Sequence, residues 1–206
     1  MSFVILGAGG HGRVVAECAH SADLHVLGYI DDNPQLIGKP FIGLTVLGTS
    51  VRLGDNDLSD SGVILGVGCN QTRLRLAHHY LDRSRSLPVV QHARSWVSPS
   101  ATCGAGTVIM ANATVQTLSR IGIACIINTN ASVDHDCILG DGVHIAPGAH
   151  LAGHVTVGSG SHIGIGASVI EGIHIGKDCL VAAGAVVIRD VADGQRVAGV
   201  PAQPMK

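Results

Sequence analysis

The chain has 206 residues and a formal charge of −2, with only 14 % charged and 2 % aromatic side chains but 28 glycines. So weak a basic field excludes a nucleic-acid footprint. No apolar run approaches the ~18–20 residues of a spanning helix, so neither nucleic acid nor a membrane is expected as a partner. Six cysteines without a CxxC pair predict reduced thiols in a cytoplasmic protein, whose core must be built from small aliphatic side chains.

The first element is an apolar strand at Phe3–Leu6, interrupted by a Gly-rich loop and lacking a charged leader, which reads as a buried strand rather than a signal peptide. The loop Gly7-Ala8-Gly9-Gly10-His11-Gly12 precedes a helix whose Val14, Val15, Cys18, Ala19 and Ala22 share one face. A second strand at Val26–Ile30 ends at Asp31-Asp32, and a third at Val63–Val67 ends at Gly68-Cys69-Asn70. A helix over 71–84 and a short strand near Leu87–Val90 follow. Residues 1–90 are therefore expected to form a half-Rossmann-like α/β nucleotide-binding domain.

The glycines match GxGxxG between a strand and a helix, and Asp31 lies about 20 residues on, where a ribose-binding carboxylate would sit. A backbone without Cβ atoms lets a pyrophosphate reach the amides at the helix N-terminus. Alone the motif would suggest NAD, but the unit is too short for a second mononucleotide half, so a nucleoside diphosphate fits better. The competing reading is that the glycines serve only tight strand–helix packing.

From Val97 onward the chain has a strict period of six. An aliphatic residue or Cys recurs at Val97, Cys103, Ile109, Val115 and so on to Val187, and the residue four places after each is usually small. A helix cannot hold period six on one stripe, since six residues advance it by ~600°. A short strand, a turn and another short strand can, with Gly at 104, 122, 140, 158, 164 and 176 giving freedom near the corners. Three units make a triangular coil of eighteen residues, and stacked coils make an all-β parallel β-helix over 91–206.

The motifs GAGGHG at 7–12, YIDD at 29–32 and VGCN at 67–70, the segment NTNASVDHDCILGDGVHIAPGAHLAG at 128–153, and the tail AAGAVVIRDVADGQRVAGVPAQP at 182–204 resemble one family across the whole chain. It is that of the hexapeptide-repeat sugar O/N-acetyltransferases, typified by bacterial nucleotide-amino-sugar N-acetyltransferases and the sialic acid O-acetyltransferase branch. The resemblance implies a left-handed coil, a homotrimer, and an acetyl-CoA site between neighbouring prisms. It further implies transfer of acetyl to the amino group of a nucleotide-linked amino sugar, a UDP- or GDP-4-amino-4,6-dideoxy sugar, feeding a surface glycan or glycoprotein pathway, with no metal needed.

Acetyl transfer needs a base, something to hold it, and an oxyanion donor. His135 occupies the third, outward place of its hexapeptide, and imidazole is the side chain whose ordinary titration spans neutral pH. Eighteen residues on, one coil above, stands Gly153, leaving room for a thioester beside the base. By resemblance, Asp136 holds the imidazole where many relatives have Glu, and the Gly153 N–H meets the oxyanion. Asn128 touches the acceptor, His144 the acetyl carbonyl, and Ile165 and Ala183 line the CoA channel. The substrate nucleotide falls to Gly9, Gly10, His11, Gly12, Asp31, Asp32, Gly68 and Asn70. Cys125, Cys137 and Cys179 take inward positions, so direct attack in a ternary complex is expected over an acyl-enzyme. Cys69, in the substrate loop, is the one thiol outside that pattern.

Four other readings stay open at this level. A sugar hydroxyl, as in sialic acid, would use the same residues. A nucleotide-sensing trimer would need no His135, and an NAD-linked oxidoreductase would leave CoA alone. A zinc-dependent carbonic-anhydrase-like enzyme would need three of His144, His150, His154 and His162 to converge.

Overall fold

The computed structural model describes residues 1–54 and 58–205. The chain opens with a five-stranded sheet of β1 (Phe3–Leu6), β2 (Val26–Ile30), β3 (Pro40–Phe41), β4 (Leu44–Gly48) and β5 (Gly62–Leu65), in the order β3-β4-β2-β1-β5. β1 runs parallel to β2 and β5, and β4 parallel to β2. Burial on both faces accounts for the unbroken apolar runs FVIL and GVIL of β1 and β5. β3 pairs antiparallel with β4 through a tight turn at Ile42 and Gly43, both at positive φ. Sequence reading did not find this hairpin.

Two helices flank the sheet, α1 (Gly10–Ser21) and α2 (Asn70–Leu81). α1 is covered from two sides: Val15, Ala16, Cys18 and Ala19 share one cluster with Phe3 and Ile5 of the sheet and with Val90, Val108, Met110 and Ile126 beyond it. That double cover shifts the buried stripe from the expected one, leaving Val14 44 % exposed and burying Gly12 and Ala16. α2 stops three residues short of the expected end, and Ser84 already takes a left-handed φ of 55°. β5 likewise ends at Leu65 rather than Val67, where Gly66 turns against α1.

The rest is a triangular prism of strands of two residues, or three at Arg196–Ala198, in sheets of six, five and eight, starting at β6 (Val90–Gln91) of the eight-stranded sheet. Pairing joins residues eighteen apart, as in Ile126 to His144 to His162. Each member of the apolar series from Val97 to Val187 is the second residue of its strand. From Ile109 onward these residues are buried in one axial core, each contributing about 1.5–3 kcal/mol.

The corner glycines differ from expectation. The left-handed corner residue falls two places later, at Gly106, Asn112, Leu118, Ala124, Asn130, Asp136 and onward every six. Gly104, Gly122, Gly140 and Gly158 are required instead by stacking, because a Cβ on any of them would lie 2.5–2.7 Å from atoms of the next coil. Close approach between coils, not backbone freedom, selects glycine there.

Candidate active site

His135 and Asp136 stand at the corner between the six- and five-stranded sheets, after the strand Ser132–Val133. Asp136 is itself the left-handed corner residue, φ 57°, a conformation Asp tolerates better than most. Its Oδ2 lies 2.9 Å from His135 Nδ1. A carboxylate only accepts, so Nδ1 carries the hydrogen and Nε2 keeps its lone pair. The Asp134 carboxylate accepts the His135 backbone N–H at 2.7 Å and fixes the turn. Gly153 stacks on the ring as expected: a Cβ there would meet His135 Cε1 at 2.5 Å and Nε2 at 2.6 Å. The Gly153 N–H has no acceptor among the described residues.

Asn128, Ile165 and Ala183 occupy a different corner, between the eight- and six-stranded sheets. Ile165 is 61 % exposed, and Ala183 is also exposed. The predicted catalytic and CoA residues of one chain are thus divided between two edges of the prism. His144 lies on the eight-stranded sheet, where its Nε2 is 3.0 Å from Asn128 Nδ2. The Asn128 amide cannot turn round, because its Oδ1 already accepts the Thr129 N–H at 2.8 Å. Nδ2 therefore donates, His144 Nε2 accepts, and the His144 hydrogen sits on Nδ1.

His144 stacks edge-to-face on His162, with ring centroids 4.6 Å apart. Burial, aided by His162, Arg73 and His11, pushes the His144 pKa down to about 3. His162 is lowered by burial and Arg73, and His11 by the same two causes to about 4. His11 Nε2 is buried without a hydrogen-bond partner. All three are neutral at pH 7. A depressed histidine pKa stabilises the fold above the unfolded value of 6.5. That stability is lost as pH falls toward 4 for His11 and 3 for His144, by on the order of a few kcal/mol. Urea midpoints are expected to fall steadily from pH 7.5 to pH 4.5, and His144→Gln to flatten the slope.

Besides burial, the charge common to all three is Arg73, fully buried on α2. All five of its N–H groups are used: Nε to Ala124 O, Nη1 to Val67 O and Gly68 O, Nη2 to Gly142 O and Asn70 Oδ1. None of these partners carries charge. Asn70, expected to bind substrate, has its side chain engaged within the chain. Its Oδ1 faces Arg73 and its Nδ2 donates to Gly160 O and Ser161 O, so the side chain ties α2 to the prism. Arg73 was missed from sequence, although its spacing to Ala77 and Tyr80 marks the buried stripe of α2.

The glycine motif divides by role. Gly9 and Gly10 have open space where a Cβ would stand, at the N-terminus of a helix with no side-chain cap. Gly12 is required by packing, since a Cβ there would overlap the Gly7 carbonyl oxygen and lie 3.3 Å from that of Gly66. A Cβ on Gly68 would lie 3.9 Å from His11 Cβ and Cγ, and the Gly68 carbonyl accepts from Arg73. Gly12→Ala is expected to cost about 3 kcal/mol or more. Gly9→Ala, at φ −70°, should move stability by less than about 0.5 kcal/mol while weakening nucleotide binding. Denaturation and ligand titration would separate the two.

Asp31 receives the N–H groups of Ala8 and Asn33 at 2.8 and 2.9 Å, holding the loop. Asp32 receives that of Ser50 at 2.8 Å. Both line a cleft of ≈ 240 Å³ with Gly7, Ser50, Arg75 and Tyr80. It shares Asp32 with a trough of ≈ 670 Å³ that carries Arg83 and Arg85.

Within one chain the four histidines of the carbonic-anhydrase reading do not converge. His144 pairs with His162, His150 bonds Ser132 Oγ at 2.8 Å, and His154 sits beside His135.

Residues 2–80 match the family model described as the PglD N-terminal domain. The acetyltransferase domain of PglB from Neisseria gonorrhoeae FA1090 is 39 % identical, with 99 % of each chain covered and a TM-score of 0.93. Its complex with acetyl coenzyme A matches at 38 % identity over 99 % of this chain and 98 % of that one, TM-score 0.93. PerB from Caulobacter crescentus, solved with CoA and GDP-perosamine, is 37 % identical over 100 % of this chain and 98 % of that one, TM-score 0.94. A search of curated proteins finds no match. With its short α/β domain and its left-handed β-helix, the chain belongs to the hexapeptide-repeat sugar N-acetyltransferases, enzymes that use acetyl-CoA.

Proposed function

We propose that this enzyme acetylates the amino group of a nucleotide-linked amino sugar, with His135 as base. The observation that carries the reading is the corner itself. An imidazole held at Nδ1 by Asp136 keeps a free Nε2, and the missing side chain of Gly153 lets that ring pack directly against the next coil, where a Cβ would collide with it. The sugar nitrogen attacks the thioester carbonyl as Nε2 takes its proton, and the oxyanion is met by the Gly153 N–H. Collapse expels the CoA thiolate, which recovers the proton from the imidazolium. Cys125 and Cys137 are buried, and burial pushes each thiol up, to about 12 and about 11. Both favour direct attack over an acyl-cysteine.

The nucleotide end falls to the front domain. The free N–H groups at the start of α1, beside Gly9 and Gly10, suit a pyrophosphate. The cleft of Asp31, Asp32 and Arg75 suits the nucleoside. A homotrimer is part of this proposal, because one acetyl-CoA could touch Gly153 and also Ile165 and Ala183 only if a second copy brings the other edge. Leu118 and Ile138, 56 % and 44 % exposed beside Asp136, supply apolar area for that contact. Six free thiols support a cytoplasmic location.

The test is product formation from acetyl-CoA with GDP- and UDP-linked 4-amino-4,6-dideoxy sugars and with free sialic acid. Turnover with one nucleotide amino sugar and none with sialic acid is expected. GDP-perosamine, bound by PerB in its solved complex, is the first acceptor to try. Turnover with sialic acid alone would move the reading to O-acetylation.

A further inference from the structure

Beside the base stands a histidine that acetyl transfer does not use. Asp136 and His154 are successive left-handed corner residues of one prism edge, φ 57° and 60°, and the His154 N–H donates to the His135 carbonyl at 2.9 Å. The fold therefore pins three donors together. His154 Nε2 is 3.9 Å from Asp136 Oδ2, which is 2.9 Å from His135 Nδ1. The two rings meet edge-to-face, with centroids 5.2 Å apart. One ligand atom from each residue lies within 4.8 Å of the others, the only such His/Cys/Asp/Glu group among the described residues. In the single chain their side chains are 51 %, 37 % and 67 % exposed for His135, Asp136 and His154, and in the proposed trimer they face the cleft that must admit acetyl-CoA, which leaves an ion the same way in.

We propose that His135, Asp136 and His154 form an inhibitory site for a zinc-type transition-metal ion, one the reaction itself does not need. Two imidazoles and a carboxylate are a ligand set that suits Zn²⁺, with water in the fourth place. Ligation at about 2.0–2.1 Å puts neighbouring donors about 3.3 Å apart, so the 3.9 Å edge must draw in and the 2.9 Å edge open slightly. The consequence for the base is chemical rather than steric. The metal takes the Nδ1 lone pair, and the hydrogen that Nδ1 shared with Asp136 moves to Nε2. The atom that must accept the amine proton is then already protonated, with no net proton released. The inhibitory half of this proposal rests on His135 being the base, while the binding half does not.

His154→Asn separates the two, since Asn accepts a left-handed corner and His154 has no part in the transfer. A Cys69→Ser background removes the exposed thiol, which would itself take zinc. Equilibrium dialysis with Zn²⁺, absorption with Co²⁺ and mass detection of acetylated sugar are the readouts. Expected are one ion per chain, loss of turnover on loading, and recovery with EDTA. In His154→Asn metal-free turnover is unchanged, while affinity and inhibition both weaken by about tenfold or more. Equal affinity in the two proteins would overturn the site, and full loading with undiminished turnover would overturn its inhibitory role. If no acceptor turns over at all, dialysis still decides the site, and the failure counts against the transferase reading alone.

Discussion

His135→Ala is expected to lower kcat for acetyl transfer by about 10²–10⁴-fold, with KM for acetyl-CoA nearly unchanged and the unfolding midpoint where it was. The side chain is half exposed, so its removal leaves no cavity in the core. Only the proton transfer is lost, and an interaction made in the transition state appears in kcat. His135→Asn should not rescue, because an amide has no lone pair basic enough to take the proton. Gly153→Ala makes the complementary case. The base stays, but a Cβ 2.5 Å from Cε1 must displace the ring, so activity should fall by about 10²-fold through misplacement alone. A chain with full turnover after either change would sink the assignment.

Arg73→Met is expected to destabilise the protein by about 3–5 kcal/mol, seen as a lower denaturation midpoint. The guanidinium draws together Val67 and Gly68 from the front domain with Ala124 and Gly142 from the prism. Removing it strands two buried carbonyls, two part-buried ones and the Asn70 amide oxygen. Burial lowers the Arg73 pKa to about 10, which still leaves it charged at neutral pH. Arg73→Lys should be nearly as damaging, since three donors on a flexible stem cannot replace five in a planar fork. A readout that simple loss of packing would not move is the titration of His144, whose pKa should rise once the buried charge is gone.

The prism was legible in the sequence because its core is written one residue at a time at fixed period. Where that writing lapses, so does the reading. The first strand of the prism, β6, carries Gln91 in the place of the apolar series, so the coil begins before the pattern does. The front sheet was legible in β1 and β2, whose apolar runs are long enough. The β3–β4 hairpin was not, because its strands have two and five residues around a turn whose first member is Ile42. Of the site, counting by eighteen places Gly153 over His135, while the roles of His135, Asp136 and Gly153 come from the family resemblance. The packing roles of Gly12 and Asn70 were not legible, because a motif records which residue is present and not whether a ligand or a neighbouring backbone demands it. Arg73 shows in the sequence only as a place on the buried stripe of α2, and its partners, like those of His154 and His162, lie far off in sequence.

The eighteen-residue register makes the prism a counting device. A length change of eighteen residues would add or remove one storey, about 4.8 Å, and leave every later residue facing as before. A change of six would turn all that follows onto the next edge, carrying Gly153 away from His135 while leaving both domains folded. Divergence in such a chain should therefore be tolerant of substitution on the outer faces yet quantised in length between Asn128 and Ala183, and a designer could lengthen the enzyme only by whole storeys.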